Sequence, residues 1–333
     1  AICCINALGW ATVRHRWQHI FAADPDIEVK FFFPETYIKD VPHLRMKMLL
    51  RGMRMRLAVQ DAVRWGAGRI LIATNGEASL LPDRMASKFL IYGDASHRQL
   101  TELYRFERSE RKNLRREGIM ARLAEHGSRM VGMSRWAADG MARDYRCEAS
   151  LLPPAINTEL FRPREESRAP GSTRILFVGG DFDRKGGQLL VDALEQLPDC
   201  ELHCITKGSA PSHPRLKLIA HQPPDSPEVV RAFQSCDLFC LPTLADCYSH
   251  VAIEAQACGL PVLIHPTGGI ADITESGRSA AHIEPTTESI VNAVQALIDD
   301  PQRRADLAER GRQRVLEENA YAVHRTRLME LLS

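Results

Sequence analysis

Short apolar runs recur along the chain, separated by longer stretches in which apolar positions come every three or four residues. In the first half the runs fall at residues 2–6, 27–33, 69–74, 88–92 and 129–133. Helical spacing fills residues 15–23 and a long segment over 42–65, and Ser134 is placed to cap the helix after the last run. Strands that are apolar on both faces and alternate with helices predict a parallel sheet covered on both sides. A second series follows at 174–178, 201–205, 216–220, 237–241 and 261–264. Between the two lie residues 151–163 and a polar, Pro- and Gly-containing stretch over 164–173, which reads as a linker. A last helix is expected over about 320–332.

The pattern predicts an α/β chain of two Rossmann-like, doubly wound domains. Residues 1–165 form the first and 166–318 the second, with residues 319–333 as a helix packing back toward the first. At 333 residues the chain fits two domains of roughly 150 residues each. Such sheets bind ligands beyond the carboxyl ends of their strands, so the expected site is the cleft across which the two domains face each other.

Composition narrows the class. Hydrophobic content of 44% and charged content of 26% are those of a globular protein. No apolar run approaches the roughly 18–20 residues that a membrane span needs. The opening Ala1-Ile-Cys-Cys-Ile-Asn6 lacks the charged start of a signal peptide, and without an initial methionine some preceding residues are expected to be missing. The nine cysteines are odd in number, form no Cys-x-x-Cys and mostly lie inside apolar runs. They read as buried thiols in a reducing cytoplasm. Cys200-Glu-Leu-His203-Cys204 could be taken for metal ligands, but it alternates like a core strand.

The net charge of +1 hides an uneven spread, with a basic excess in residues 1–165 and an acidic one after them. Much of the excess lies in residues 43–56 and 105–116. These segments suit helices lying on an anionic membrane surface, and equally suit solvated helix faces. Aromatics are few and no nucleic-acid motif appears, so nucleic acid is not an expected partner.

Candidate chemistry gathers in two loops. Strand 174–178 runs into Gly179-Gly180-Asp181-Phe182-Asp183-Arg184-Lys185-Gly186-Gly187 and then a helix. Glycines permit close backbone approach, a helix start offers N–H groups, and Arg184 and Lys185 add two cations. This describes a phosphate site without a Walker loop or a Gly-x-Gly-x-x-Gly. The alternative is a Gly-rich turn with solvated charges. Asp181-Phe-Asp183 also matches the bare Asp-x-Asp string of metal sites, but the two adjacent cations argue against a metal there. In the second loop, Asp246 leads to a helix starting near Ser249, whose first N–H groups, on Ser249, His250 and Val251, form another anion site. Glu254 follows one turn in, among Ala252, Ile253, Ala255 and Ala257. Two carboxylates flanking a helix mouth suit a ligand with hydroxyls at both ends and phosphates between, namely a nucleotide-diphosphate sugar.

Asp246-x7-Glu254, then Ala-Gln-Ala-Cys-Gly-Leu-Pro-Val and Gly268-Gly269-Ile270, resembles the signature of family 4 retaining glycosyltransferases of the GT-B fold, the glycosyl transferases group 1. The likeness extends to residues 177–186, to residues 134–145 and to Asn157-Thr-Glu-Leu-Phe-Arg-Pro163. The resemblance implies that Lys185 and Arg184 neutralise the departing diphosphate with help from the Ser249–Val251 amides. It implies that Glu254 holds the ribose, Asp246 binds the donor sugar, and backbone near Gln222 and Pro223 meets the base. It further implies front-face displacement with retention, no metal, no cofactor beyond the nucleotide sugar, and, with the basic first domain, a glycan or lipid-linked acceptor; the expected location is the cytoplasm, with the basic segments suited to peripheral contact at the inner face of the membrane. Asp246 stands where the family usually has Glu, and Gly180 where it often has Arg. Pro153-Pro-Ala-Ile-Asn157 replaces its Pro-Asn-Gly-Val-Asp. After strand 88–92, where many members have His, this chain has Asp94 and His97, both candidates for contact with donor sugar or acceptor. Gly9 and Arg14 match the family's acceptor-side loop loosely. A sugar-nucleotide epimerase and a non-catalytic nucleotide-sugar-binding subunit stay open as alternatives.

Overall fold

The computed structural model describes residues 2–4, 10–22, 29–32, 44–73, 81–105, 110–165 and 171–333. It divides into two compact units, one of Ala1–Ala155 with His324–Ser333 and one of Ile156–Val323. The chain therefore passes between units twice.

In the first unit, β1 (Ile2–Cys4), β2 (Phe31–Phe32), β3 (Ile70–Ala73), β4 (Phe89–Gly93), β5 (Arg129–Gly132) and β6 (Ala149–Leu151) form a sheet in the order β2-β1-β3-β4-β5-β6. Every pairing is parallel. β3 and β4 are buried along their whole length, as apolar runs covered on both faces must be. The helices are α1 (Trp10–Phe21), α2 (Leu44–Arg64), α3 (His97–Leu103), α4 (Glu110–Glu125) and α5 (Arg135–Tyr145). Ser134 caps α5, its hydroxyl accepting from the Ala137 N–H at 3.1 Å. α1 starts five residues before the expected 15, because Val13, Trp17 and Phe21 form one buried stripe at i, i+4 and i+8.

In the second unit, β7 (Thr173–Val178), β8 (Cys200–Ile205), β9 (Leu216–Ile219), β10 (Leu238–Leu241), β11 (Val262–Ile264) and β12 (Ala281–His282) form another parallel sheet, ordered β12-β11-β10-β7-β8-β9. From β7 the chain winds outward through β8 and β9, then returns to the other side of β7 with β10. The winding thus reverses between β7 and β10, and in open parallel sheets that switch point is where ligands bind. The helices are α6 (Gly187–Leu194), α7 (Pro227–Ser235), α8 (His250–Ala257), α9 (Ile270–Ile273), α10 (Thr287–Asp299) and α11 (Pro301–Glu318). Ser226 and Asp300 cap α7 and α11, each followed by a proline at the first helical position. The short strands β6 and β12 were not evident as apolar runs, being three and two residues long and not fully buried.

The last helix, α12 (Tyr321–Leu332), supplies His324–Ser333 to the first unit. Its anchor is His324, fully buried against Trp17. The Trp17 indole N–H donates to His324 Nε2 at 2.7 Å, so Nδ1 carries the imidazole proton and donates to the Pro153 carbonyl at 2.7 Å. Arg129 Nη1 donates to the Leu331 carbonyl near the end of the helix. No helix among the described residues is long and apolar enough to cross a membrane.

Burial lowers the His324 pKa from 6.5 to about 4. On acidification the unfolded chain takes up this proton near pH 6.5, whereas the folded site resists it until about pH 4. The contribution to stability is therefore complete above pH 6.5 and is lost between about pH 6.5 and 4, amounting to roughly 3 kcal/mol. We expect His324→Asn to lower stability at pH 7.5 and to flatten the pH dependence of the urea midpoint between pH 7.5 and 5. An unchanged slope in the variant would contradict this account.

Candidate active site

Two loops meet at the switch point of the second unit. The first leaves β7 at Gly179, whose N–H donates to the Ile205 carbonyl at 2.9 Å. It then coils tightly, with N–H groups of Lys185, Gly186 and Gly187 donating to carbonyls of Asp181, Asp183 and Phe182. Phe182 is the loop's apolar anchor, buried edge-on against Phe177 with centroids 5.7 Å apart. The second loop leaves β10 and is buried from Pro242 to Ser249 except for Leu244.

These loops are interlocked. The Leu244 N–H donates to the Arg184 carbonyl at 2.9 Å, and Arg184 Nη1 donates to the Ala245 carbonyl at 2.6 Å. Lys185 Nζ donates to Asp246 Oδ2, with both side chains mostly buried. Gly186 has φ +78°, and a Cβ there would lie 2.3 Å from the Pro242 carbonyl oxygen. Gly268, after β11, has φ +58°, and its Cβ would lie 2.2 Å from the Asp246 carbonyl oxygen. Only glycine allows both the left-handed backbone and this approach.

Ser249 caps α8, its hydroxyl accepting from the Ala252 N–H. A helix leaves its first N–H groups without intrahelical acceptors, and these point at whatever lies beyond the mouth. Glu254 is 6% exposed, one turn inside, on a helix whose other buried residues are Ala252, Ile253, Ala255, Gln256 and Ala257. Burying a carboxylate has a free-energy cost that apolar packing does not return, so Glu254 is placed for polar work. Behind the loop, Asn319 links Tyr248 to Arg314, accepting from Arg314 Nη1 at 3.1 Å and donating to the Tyr248 hydroxyl at 3.4 Å. His265, at the end of β11, donates from Nδ1 to the Thr243 carbonyl at 2.9 Å.

The second unit thus brings Gly180, Arg184, Lys185 and Asp246 together and sets Ser249, His250, Val251 and Glu254 on the start of α8. Arg184 is shared between Ala245 and Asp181, whose Oδ2 accepts from Arg184 Nε at 3.1 Å. The Asp181 carboxylate is therefore engaged by a cation, while Phe182 of the Asp-x-Asp string is turned into the core. Gln222 is half-buried in the segment between β9 and α7. His203 and Cys204 lie buried in β8, and burial pushes the thiols of Cys200 and Cys204 up to about 11. Among the described residues no group of three His, Cys, Asp or Glu could hold a metal ion.

In the first unit, Asp94 is half-buried after β4 and Arg14 is half-buried on α1. Gly9 lies outside the described residues. His97 opens α3, where Ser96 and Gln99 form a capping box, and its ring is 1% exposed. Tyr145 Oη lies 2.9 Å from His97 Nδ1 and accepts from the His97 backbone N–H at 3.1 Å. That geometry packs the His97 ring against Tyr145 within the first unit. Thr243, Tyr248 and His265 were not legible as site residues, since each matters through a bond between the second loop and a neighbouring element, Thr243 to His265 and Tyr248 to Asn319.

Residues 161–314 match the model of the family described as glycosyl transferases group 1. A D-inositol 3-phosphate glycosyltransferase of Paenarthrobacter aurescens is 29% identical over 221 residues, covering 58% of this chain and 54% of that protein. An MMP alpha-(1->4)-mannosyltransferase of Mycolicibacterium hassiacum is 27% identical over 220 residues, covering 60% and 52%. In each case the match covers about half the length of the relative. Among solved structures, sucrose-phosphate synthase from Thermosynechococcus elongatus superposes with a TM-score of 0.76 at 18% identity, covering 99% of this chain and 97% of that one. HepE of Anabaena, solved in complex with UDP and glucose, gives 0.70 at 15% identity, covering 99% and 98%. The fold is GT-B.

The close approach at Gly186 yields a direct expectation. Gly186→Ala should lower the stability of the second unit by roughly 1–3 kcal/mol through backbone strain and the clash with Pro242. Urea unfolding measures this, and wild-type stability in the variant would show that the loops do not need to meet this closely.

Proposed function

From the match of residues 161–314 to the model of the glycosyl transferases group 1, we propose that the protein is a retaining glycosyltransferase. It moves a sugar from a nucleotide-diphosphate sugar to a glycan or lipid-linked acceptor without a metal ion. The observation that carries this reading is the Lys185–Asp246 pair at the meeting of the glycine loop and the mouth of α8. A cation, a helix start and two carboxylates then lie around one switch point.

The diphosphate sits against the glycine loop, where its charge takes the Lys185 ammonium in exchange for Asp246. Asp246 is then released to accept hydrogen bonds from the donor-sugar hydroxyls, and Glu254 accepts from the ribose. Backbone near Gln222 and Pro223 meets the base. Breaking the bond between the anomeric carbon and the phosphate oxygen leaves the electron pair on that oxygen, where Lys185 and the Ser249–Val251 amides stabilise it. The acceptor hydroxyl adds from the same face and passes its proton to the departing phosphate oxygen. A group that stabilises charge only as it develops lowers the barrier directly. Asp94, in the first unit, is the candidate for contact with the donor sugar or acceptor.

The acceptor side is basic. Met53, Leu57 and Arg56 are exposed on α2, as are Leu114 and Arg115 on α4. Exposed apolar and basic residues together support peripheral contact with an anionic membrane at its cytoplasmic face, which salt-sensitive sedimentation with anionic vesicles tests. The acceptors named for the two relatives differ, and neither is carried over to this chain.

We expect nucleoside diphosphate release from one of the UDP-, GDP- or ADP-sugars in EDTA, with an acceptor panel of glycans and lipids. Nuclear magnetic resonance should find the donor's anomeric configuration kept in the product. Lys185→Ala should cut the rate by about 10²–10³ without changing the circular dichroism spectrum. Full activity in that variant, or an inverted product, would overturn the assignment.

A further inference from the structure

The cations singled out by the sequence already have internal partners. Arg184 is held by Asp181 and the Ala245 carbonyl, and Lys185 by Asp246. A diphosphate carries more charge than one displaced carboxylate, so a further cation at the same mouth would bear on its affinity. Lys207, just beyond β8, is so placed. Its stem runs beside Gly180, where an added Cβ would lie 3.7 Å from Lys207 Cδ, 3.9 Å from Cγ and 4.0 Å from Cε. The open backbone of Gly180 is thus lined by the Lys207 methylenes, and the ammonium lies one bond beyond Cε.

Two bonds fix this arrangement. The Gly179 N–H donates to the Ile205 carbonyl, joining the ends of β7 and β8, and the Gly208 N–H donates to Thr206 Oγ1 at 3.3 Å, shaping the turn around Lys207. Among the described residues Lys207 makes no ion pair, and the residue is exposed. On the next strand connection His221 senses it, its pKa lowered first by burial and then by the Lys207 charge.

We propose that Lys207 is a binding residue for the donor diphosphate, laid over Gly180 so that its ammonium reaches phosphate oxygens held by the glycine loop. The assignment rests on the donor-site reading above. It adds a third cation from a third strand end, so that β7, β8 and β10 each contribute to the same charged group.

Calorimetric titration with UDP, GDP and ADP in EDTA tests it, on wild type, Lys207→Gln, Lys207→Arg and Glu254→Ala. For the nucleoside diphosphate that binds wild type, we expect Lys207→Gln to weaken binding by about 10-fold, the loss of one charge-assisted hydrogen bond. The variant should also flatten the salt dependence of binding and leave affinity for the matching nucleoside unchanged, and Lys207→Arg should keep most of the affinity. Because Lys207 is exposed, the folded state should persist in all Lys207 variants. Equal affinity for the diphosphate in wild type and Lys207→Gln, with Glu254→Ala still weakened, would overturn the Lys207 assignment alone. No binding of any of the three to wild type would overturn it together with the donor-site reading.

Discussion

The site depends on how closely two loops can approach. β7 and β10 are neighbours in the sheet, so the loops leaving their carboxyl ends must pass within van der Waals distance or splay apart. They pass, because Gly186 lies against the Pro242 carbonyl and Gly268 against that of Asp246. That approach lets Arg184 and Leu244 bond across the gap and sets the Lys185 ammonium on Asp246. A side chain at either glycine would push the second loop outward and separate Lys185 from Asp246.

The remainder of the second unit holds that arrangement in place. The wholly buried β10 lies in parallel register with β7, whose middle is buried, and a packed core transmits displacement instead of absorbing it. Tyr248 in the second loop is tied through Asn319 to Arg314 on α11, so a distant helix reports on the loop's position. Gln256, on the face of α8 away from its mouth, donates to the carbonyls of Ile273 and Ser279 and orients the helix that carries Glu254.

The sequence is legible where one physical signal dominates. Apolar runs such as Ile70–Ala73 and Leu238–Leu241 are strands because both faces must be covered, and the parallel order follows from the intervening helices. The pairing of glycines with Lys185 and of Asp246 with Glu254 was readable because those residue types have little reason to occur together otherwise. Less legible were features set by tertiary packing. The start of α1 is decided by the buried Val13, Trp17 and Phe21 stripe, while Thr12 and Val13 are weak helix formers by themselves. His97 looked available for chemistry, yet Tyr145, 48 residues away, holds it in a buried helix cap. Lys207 had no local signal at all, because its meaning comes only from lying across from Gly180 on an adjacent strand end.

A crystal structure with the tightest-binding nucleoside diphosphate tests the central claim most directly. The account predicts diphosphate oxygens within hydrogen-bonding distance of Lys185 Nζ and the first N–H groups of α8, with the ribose hydroxyls on Glu254. A nucleotide bound away from the β7–β10 switch point, with the Lys185–Asp246 pair intact, would contradict it.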